Sequence, residues 1–282
     1  MNILITGWKG FIGSSVTKLL DKRGIQWTPF DDEILNASAF DKYQNCDTIL
    51  HLAGINRSTE SYDEQKKIFD VNYIGTLNAI HFAQKAKRRF FFASSCCYGN
   101  PNIIPTPESC FITYNNSYSF SKWQCEHTLF FWNQEFGLEG VIFRIFNIYG
   151  PTQPKGFLIP DIIEKIKTTG SIELFNLNSV RDYIYIDDVA QVIVKALVTP
   201  LKGLIKINVG TGIGHSVKEV LDVIFEIMGK KFPVKNKGID PFIKTSIANN
   251  QYLQEYFGIN KFQNIKTGIA QVLKKHQVVH NN

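Results

Sequence analysis

Tyr118 and Lys122, in the run Tyr118-Ser119-Phe120-Ser121-Lys122, are the pair of residues in this sequence best suited to move a proton. On a helix that spacing sets a phenol and an ammonium on one face, one turn apart. A phenol with an ordinary pKa of about 10 exchanges protons near neutrality only where its anion is stabilised, which a neighbouring ammonium and a cationic nicotinamide would both do. The spacing alone is weak, because eleven tyrosines in a lysine-rich chain make roughly one such pair by chance, and Tyr62-Asp63-Glu64-Gln65-Lys66 is a second match. Context separates them. Tyr118 follows Phe90-Phe91-Phe92-Ala93-Ser94-Ser95-Cys96-Cys97-Tyr98-Gly99, which reads as a buried strand delivering hydroxyls and thiols at its end, whereas Tyr62 sits in a charged helix and reads as a solvated face.

The second chemical feature is Gly7-Trp8-Lys9-Gly10-Phe11-Ile12-Gly13, between the apolar run Asn2 to Thr6 and a helical pattern from Phe11 to Leu20 that stops at Gly24. Glycines at these spacings permit a tight turn, close approach of backbone to a pyrophosphate, and close packing of helix on strand. This predicts a dinucleotide site. Asp31, after the next strand, suits hydrogen bonds to the adenosine ribose hydroxyls. Asp31, Asp32 and Glu33 together would repel a 2′-phosphate and favour NAD, while Lys9 could reach that phosphate and favours NADP. The balance falls to NAD with NADP possible; the plainer reading of the three acids is a solvated turn.

These residues need elements to position them. Short apolar runs at 25–30, 48–53, 89–94 and 140–145 alternate with helix-length stretches, which predicts an α/β chain with a doubly wound parallel sheet. After Gly150-Pro151 the alternation loosens around 171–175, 182–186 and 204–210. The expected organisation is a dinucleotide-binding domain over 1–150 and a smaller, mainly substrate-binding α/β domain over 151–282, with parts of 182–213 returning to the first sheet. Residues 249–275 read as an amphipathic helical tail. The net charge of +6 comes from scattered cations, so no nucleic-acid stripe is expected. Five cysteines without a CxxC, a start without a basic leader, and no apolar run of about 18 residues predict a reduced cytoplasmic protein with no membrane partner. The six histidines form no cluster, so no metal is expected.

With the glycine turn, Asp31, the Ser94 strand end and Tyr118/Lys122 in this order, the chain resembles the extended short-chain dehydrogenase/reductases that modify nucleotide sugars, the epimerase/dehydratase/reductase superfamily. His51-Leu52-Ala53-Gly54, Asn72 to Asn78, Arg144 to Pro151, Arg181 to Ala190 and Asn208 to Gly212 extend the resemblance over nearly the whole chain. It implies a Rossmann-type fold, with Ser94 bonded to the sugar oxygen, Tyr118 exchanging the proton, and Lys122 on the nicotinamide ribose. It further implies cofactor contacts at Gly7, Lys9, Gly10, Phe11, Ile12, Gly13, Asp31, Leu52, Ala53 and Asn72, and substrate contacts at Ser95, Cys96, Asn147 and Arg181. Counting back from Tyr98-Gly99 puts Ser94 rather than Ser95 at the catalytic hydroxyl. The resemblance implies a homodimer paired through the helices after Asn72 and Tyr118, with Ile80, Phe82, Leu129 and Phe130 either at that contact or equally in the chain's own core.

The resemblance also sorts the reactions. Dehydratases carry Asp-Glu where this chain has Ser95-Cys96, so dehydration is not expected. The run SSC resembles GDP-fucose synthases, but the histidine they carry after the YGP motif is replaced by Thr152-Gln153. A 4-ketoreductase acting on a 4-keto-6-deoxy sugar nucleotide and a 4-epimerase with retained NAD remain. The short connection 32–50 tilts toward the reductase, which is the expected activity, with the epimerase, favoured by the acid-rich adenosine end, as the alternative. A non-catalytic, cofactor-binding regulator is a distant third, since Tyr118 and Lys122 are both present.

Overall fold

The computed structural model describes residues 1–57, 59–96, 98–238 and 245–277. Cys97, expected to pack as a buried thiol, and His280 lie outside the described residues. The first half alternates β1 (Ile3–Thr6), α1 (Phe11–Lys22), β2 (Trp27–Pro29), β3 (Thr48–His51), α2 (Tyr62–Phe69), α3 (Gly75–Lys85), β4 (Arg89–Ser95), α4 (Ser117–Phe136) and β5 (Gly140–Ile145). The rest comprises β6 (Asn147–Tyr149), α5 (Leu158–Thr168), β7 (Ile172–Leu174), β8 (Val180–Tyr185), α6 (Ile186–Val198), β9 (Leu204–Val209), β10 (Gly214–Ser216), α7 (Val217–Met228), β11 (Val234–Asn236), β12 (Thr245–Ser246), α8 (Gln251–Phe257) and α9 (Ile265–Lys275).

Six strands form one parallel sheet in the order β2-β1-β3-β4-β5-β9. β1, β3 and β5 are buried along their whole length, which is why they read as unbroken apolar runs rather than alternating ones. Pro29 is tolerated because β2 is an edge strand, where a missing N–H breaks no ladder. Along β4 the side chains alternate between two cores. Phe91 and Ala93 join Ile3, Val16, Val189 and Ile193 on the α1/α6 face, and Phe90 and Phe92 join Leu4, Ile80, Cys125 and Leu129 on the α3/α4 face. Each fully buried phenylalanine contributes roughly 2–3 kcal/mol of burial.

Ile80, Phe82 and Leu129, expected at a subunit interface, are buried in the chain's own second core, with Phe130 packed at its margin. Helical periodicity marks an apolar face without saying whether a sheet or another subunit covers it. The large apolar residues that α4 turns outward are Phe131 and Phe136, each about half exposed.

Beyond the large sheet, β8 pairs with β6, β10 and β12. A third core gathers Ile159, Ile163, Tyr185, Ile224 and Val272 from α5, β8, α7 and α9 around them. The helical tail is two helices rather than one. α8 stops at Gly258, in a left-handed conformation (φ +67°), and Ile259 and Phe262 then pack into the first core before α9 begins. Among the described residues no helix is long and apolar enough to cross a membrane.

Candidate active site

The carboxyl ends of β1, β3, β4 and β5 open onto a cleft of about 630 Å³, closed on its other side by residues from α5, β8 and the loop between β7 and β8. At its floor, Gly7 has φ +69°, and a Cβ there would lie 2.6 Å from the Ala53 nitrogen, so the turn must cross the end of β3 as bare backbone. A Cβ on Gly13 would lie 2.4 Å from the Gly7 oxygen, so α1 can seat on the turn only with glycine there. Gly10 N–H donates to the Gly7 oxygen (3.0 Å), and α1 starts at Phe11, its first amides directed at the cleft. Backbone donors in a concavity that side chains would fill fit a dinucleotide pyrophosphate. Gly7, Gly10, Phe11, Ile12, Gly13 and Leu52 all line the cleft.

Asp31 stands at the outer end of this turn, accepting hydrogen bonds from Trp8 Nε1 (3.0 Å) and Lys9 Nζ (3.2 Å). The acid and the base that argued for different cofactors thus pair with each other. Asp32 turns away to Lys42 (2.6 Å) and Tyr43 (2.8 Å), which hold its carboxyl below the usual range, so it does not add to Asp31.

Tyr118 is the second residue of α4, and its place is set by a capping box: Asn116 Oδ1 accepts from Ser119 N–H (2.8 Å), and Ser119 Oγ accepts from Asn116 N–H (3.3 Å). One turn later Lys122 is buried, donating to the Ala93 oxygen at 2.7 Å and lying 4.6 Å from the centre of the Phe92 ring. Tyr118 and Lys122 both line the cleft, with Ser94, Ser95, Cys96, Asn147 and Arg181. Tyr62, the rival tyrosine, is exposed.

Asn72 stands behind the cleft rather than in it. It lies on a π-helical turn, Asp70–Ile74, and its amide donates to the Ile55 oxygen (3.0 Å) and Ser121 Oγ (3.0 Å) while accepting from Ile55 N–H (2.7 Å). It therefore ties the loop after β3 to α4. Ala53 is similarly placed, its N–H bonded to Thr6 Oγ1 (3.2 Å).

Ser94 lies on the face of β4 turned to α4, and Ser95, by alternation, on the other. Ser94 Oγ donates to Glu126 Oε1 at 2.5 Å. Glu126 also accepts from Arg144, through Nε (3.0 and 3.1 Å) and Nη2 (2.6 Å). Sequence reading passed over Glu126. Its signal was there: Tyr118, Lys122 and Glu126 fall at intervals of four, one stripe of α4.

From the second layer, β8 presents Arg181 and Tyr183 to the cleft. Burial draws the Arg181 guanidinium below its ordinary pKa and pushes the Tyr183 phenol up to about 12. Between them Asp182 is fully buried and accepts from Thr211 N–H and Oγ1 and from the N–H groups of Gly212 and Ala248. Phe175, Asn176 and Ser179 complete the wall; no motif in the sequence announced them.

A parallel doubly wound sheet with a glycine cradle after β1 and a Tyr/Lys helix at the end of β4 defines an NAD(P)-dependent short-chain dehydrogenase/reductase of the extended type. The chain belongs to the NAD dependent epimerase/dehydratase family, whose model matches residues 3–210. It is 30% identical to a UDP-glucose 4-epimerase of Rhizobium leguminosarum bv. trifolii over 91% of each chain. It is 31% identical to a GDP-6-deoxy-D-talose 4-dehydrogenase of Aggregatibacter actinomycetemcomitans over 83% of each. Among solved structures, the UDP-glucose 4-epimerase of Thermotoga maritima with UDP-glucose superposes with a TM-score of 0.89 at 25% identity, covering 98% of this chain and 99% of that one. The protein is an enzyme of the nucleotide-sugar epimerase/dehydratase type.

Proposed function

We infer that this enzyme is a nucleotide-sugar 4-epimerase acting on UDP-glucose and UDP-galactose with retained NAD. The observation that carries this reading is its likeness, over nine-tenths of both chains, to a UDP-glucose 4-epimerase. Gly7, Gly10, Gly13 and the first turn of α1 hold the pyrophosphate, Asp31 the adenosine ribose, and Leu52 and Ala53 the backbone edge of the same site. NAD held there would supply the hydride acceptor and donor that inversion at the sugar's C4 requires. Tyr118, as the phenolate, takes the proton from the C4 hydroxyl and, as the phenol, gives it back, and Lys122 stabilises the phenolate before the first transfer and after the second. Arg181 and Asn147 hold the substrate diphosphate, an anion that suits a guanidinium. Ser94 contacts the reacting oxygen, while Ser95 and Cys96 wall the sugar. In this division residues 1–150 bind the dinucleotide, 151–282 mainly bind the substrate, and two copies pair through the outer faces of α3 and α4 in the cytoplasm.

The 4-ketoreductase favoured by the sequence is the second reading, supported by the likeness to a 4-dehydrogenase and by Lys9 at the adenosine end. Incubation with UDP-galactose and no added cofactor separates the two: conversion to UDP-glucose is expected. Absence of conversion, together with oxidation of added NADH or NADPH by a 4-keto-6-deoxy sugar nucleotide, would replace the epimerase with the reductase. Tyr118→Phe is expected to lower kcat at least about 100-fold with bound dinucleotide unchanged. A variant with full turnover removes Tyr118 from the site.

A further inference from the structure

We propose that Glu126, locked by Arg144, accepts the one hydrogen bond the Ser94 hydroxyl can donate, so that Ser94 meets the substrate only as a hydrogen-bond acceptor and selects a sugar hydroxyl over a carbonyl. A serine hydroxyl has one proton to give. Here it points at Glu126 Oε1, 2.5 Å away, inside the protein. Glu126 is ion-paired with Arg144 and accepts without being able to donate; the two side chains are 2% and 5% exposed. Arg144 cannot swing away easily, because Nη1 is spent on the Glu108 and Cys110 oxygens (3.1 and 3.4 Å) and its guanidinium lies 4.8 Å from the centre of the Tyr98 ring. What Ser94 shows the cleft it lines is therefore lone pairs. A hydroxyl can donate to them, whereas a ketone oxygen or a fluorine meets them as like against like.

This rests on the epimerase reading, in which the resting substrate is an alcohol. The hydroxyl proton lies between Ser94 Oγ and the phenolate of Tyr118, and the stronger base takes it: the sugar O–H bond breaks, the Tyr118 O–H bond forms, and the C4 hydride goes to NAD⁺. Ser94 keeps its own proton throughout, directed at Glu126, so it is no relay. Glu126 is a positioning residue, acting through Ser94.

The test is carried out in the Tyr118→Phe background, which removes the competing acceptor and stops turnover. Affinities for UDP-galactose and UDP-4-deoxy-4-fluorogalactose are measured by calorimetry. A preference of about tenfold for the hydroxyl ligand is expected, a typical worth for one buried hydrogen bond. Adding Glu126→Gln gives Arg144 the amide oxygen and leaves the amide N–H groups facing Ser94, which then becomes a donor toward the cleft. The preference should fall to within about threefold, or invert. Adding Ser94→Ala, which leaves the Glu126–Arg144 pair intact, should abolish it as well, and decides the matter if the protein carrying Glu126→Gln does not fold. Equal binding of the two ligands in the Tyr118→Phe parent, or an unchanged preference in either double variant, overturns the proposal. If neither UDP-sugar binds and the wild type does not interconvert them, it is the epimerase reading that has failed.

Discussion

At the scale of single residues, His51 never gains a proton over the range in which most histidines do. It is fully buried, and burial first, then the nearby Lys122 charge, lowers its pKa to about 3. Its tautomer follows from its neighbours. Thr76 Oγ1 spends its proton on the Asn72 oxygen, so it accepts from His51 Nε2–H, and Nδ1 is left to accept from Thr6 Oγ1. The unfolded chain would protonate His51 near 6.5 and the folded chain only near 3. The stability this histidine contributes is thus complete above pH 6.5 and is lost as pH falls toward 3, at about 1.4 kcal/mol per unit. Denaturant titrations between about pH 7 and 4 should show this slope, and His51→Gln should flatten it; an equal slope in the variant would reject His51 as its source. At this scale Tyr118, Lys122 and the glycines were legible because their spacing is the chemistry. Glu126 was not, because its part depends on a strand and a guanidinium 32 positions before it and 18 after.

Among the elements, α4 carries the most function. Its cap fixes the first turn, its stripe of Tyr118, Lys122 and Glu126 faces the end of β4, and its remaining apolar residues seal the second core. Asn116→Ala removes the cap and should cost about 1 kcal/mol of stability. Because Tyr118 lies one residue inside the cap, kcat should fall as well while KM changes little. A melting curve and a rate measured on the same sample check both, and an unaltered rate would mean that packing rather than the cap places Tyr118. The six strands of the large sheet were readable to within about two residues, since continuous apolar runs leave few alternatives, whereas the short β6, β10, β11 and β12 were not. The tail was read as helical and amphipathic, which both its helices are, without a place for the break between them. Gly258 and the core-seeking Ile259 and Phe262 were the signal that it stops.

The whole molecule places its chemistry where the chain crosses between layers: the cleft takes its floor from the large sheet and its far wall from α5, β8 and the loop between β7 and β8. That wall was the least legible part, because Phe175, Asn176 and Ser179 owe their place to tertiary packing and not to a spaced motif. Assembly follows the outward surface. If α3 and α4 form the subunit contact, sedimentation should give a particle near twice 32.2 kDa, and Phe131→Glu should reduce it to one chain. A wild-type monomer at micromolar concentration would reject that face. The exposed Lys9–Asp31 pair at the mouth of the glycine turn has a different kind of consequence. The two charges that would prefer opposite dinucleotides hold each other at the surface, where an ion pair is weak, and replacing Lys9 breaks it while leaving the Trp8–Asp31 hydrogen bond in place. Cofactor preference is thereby detached from the stability of the scaffold, so a lineage could exchange one dinucleotide for the other by a single surface substitution and leave the fold untouched.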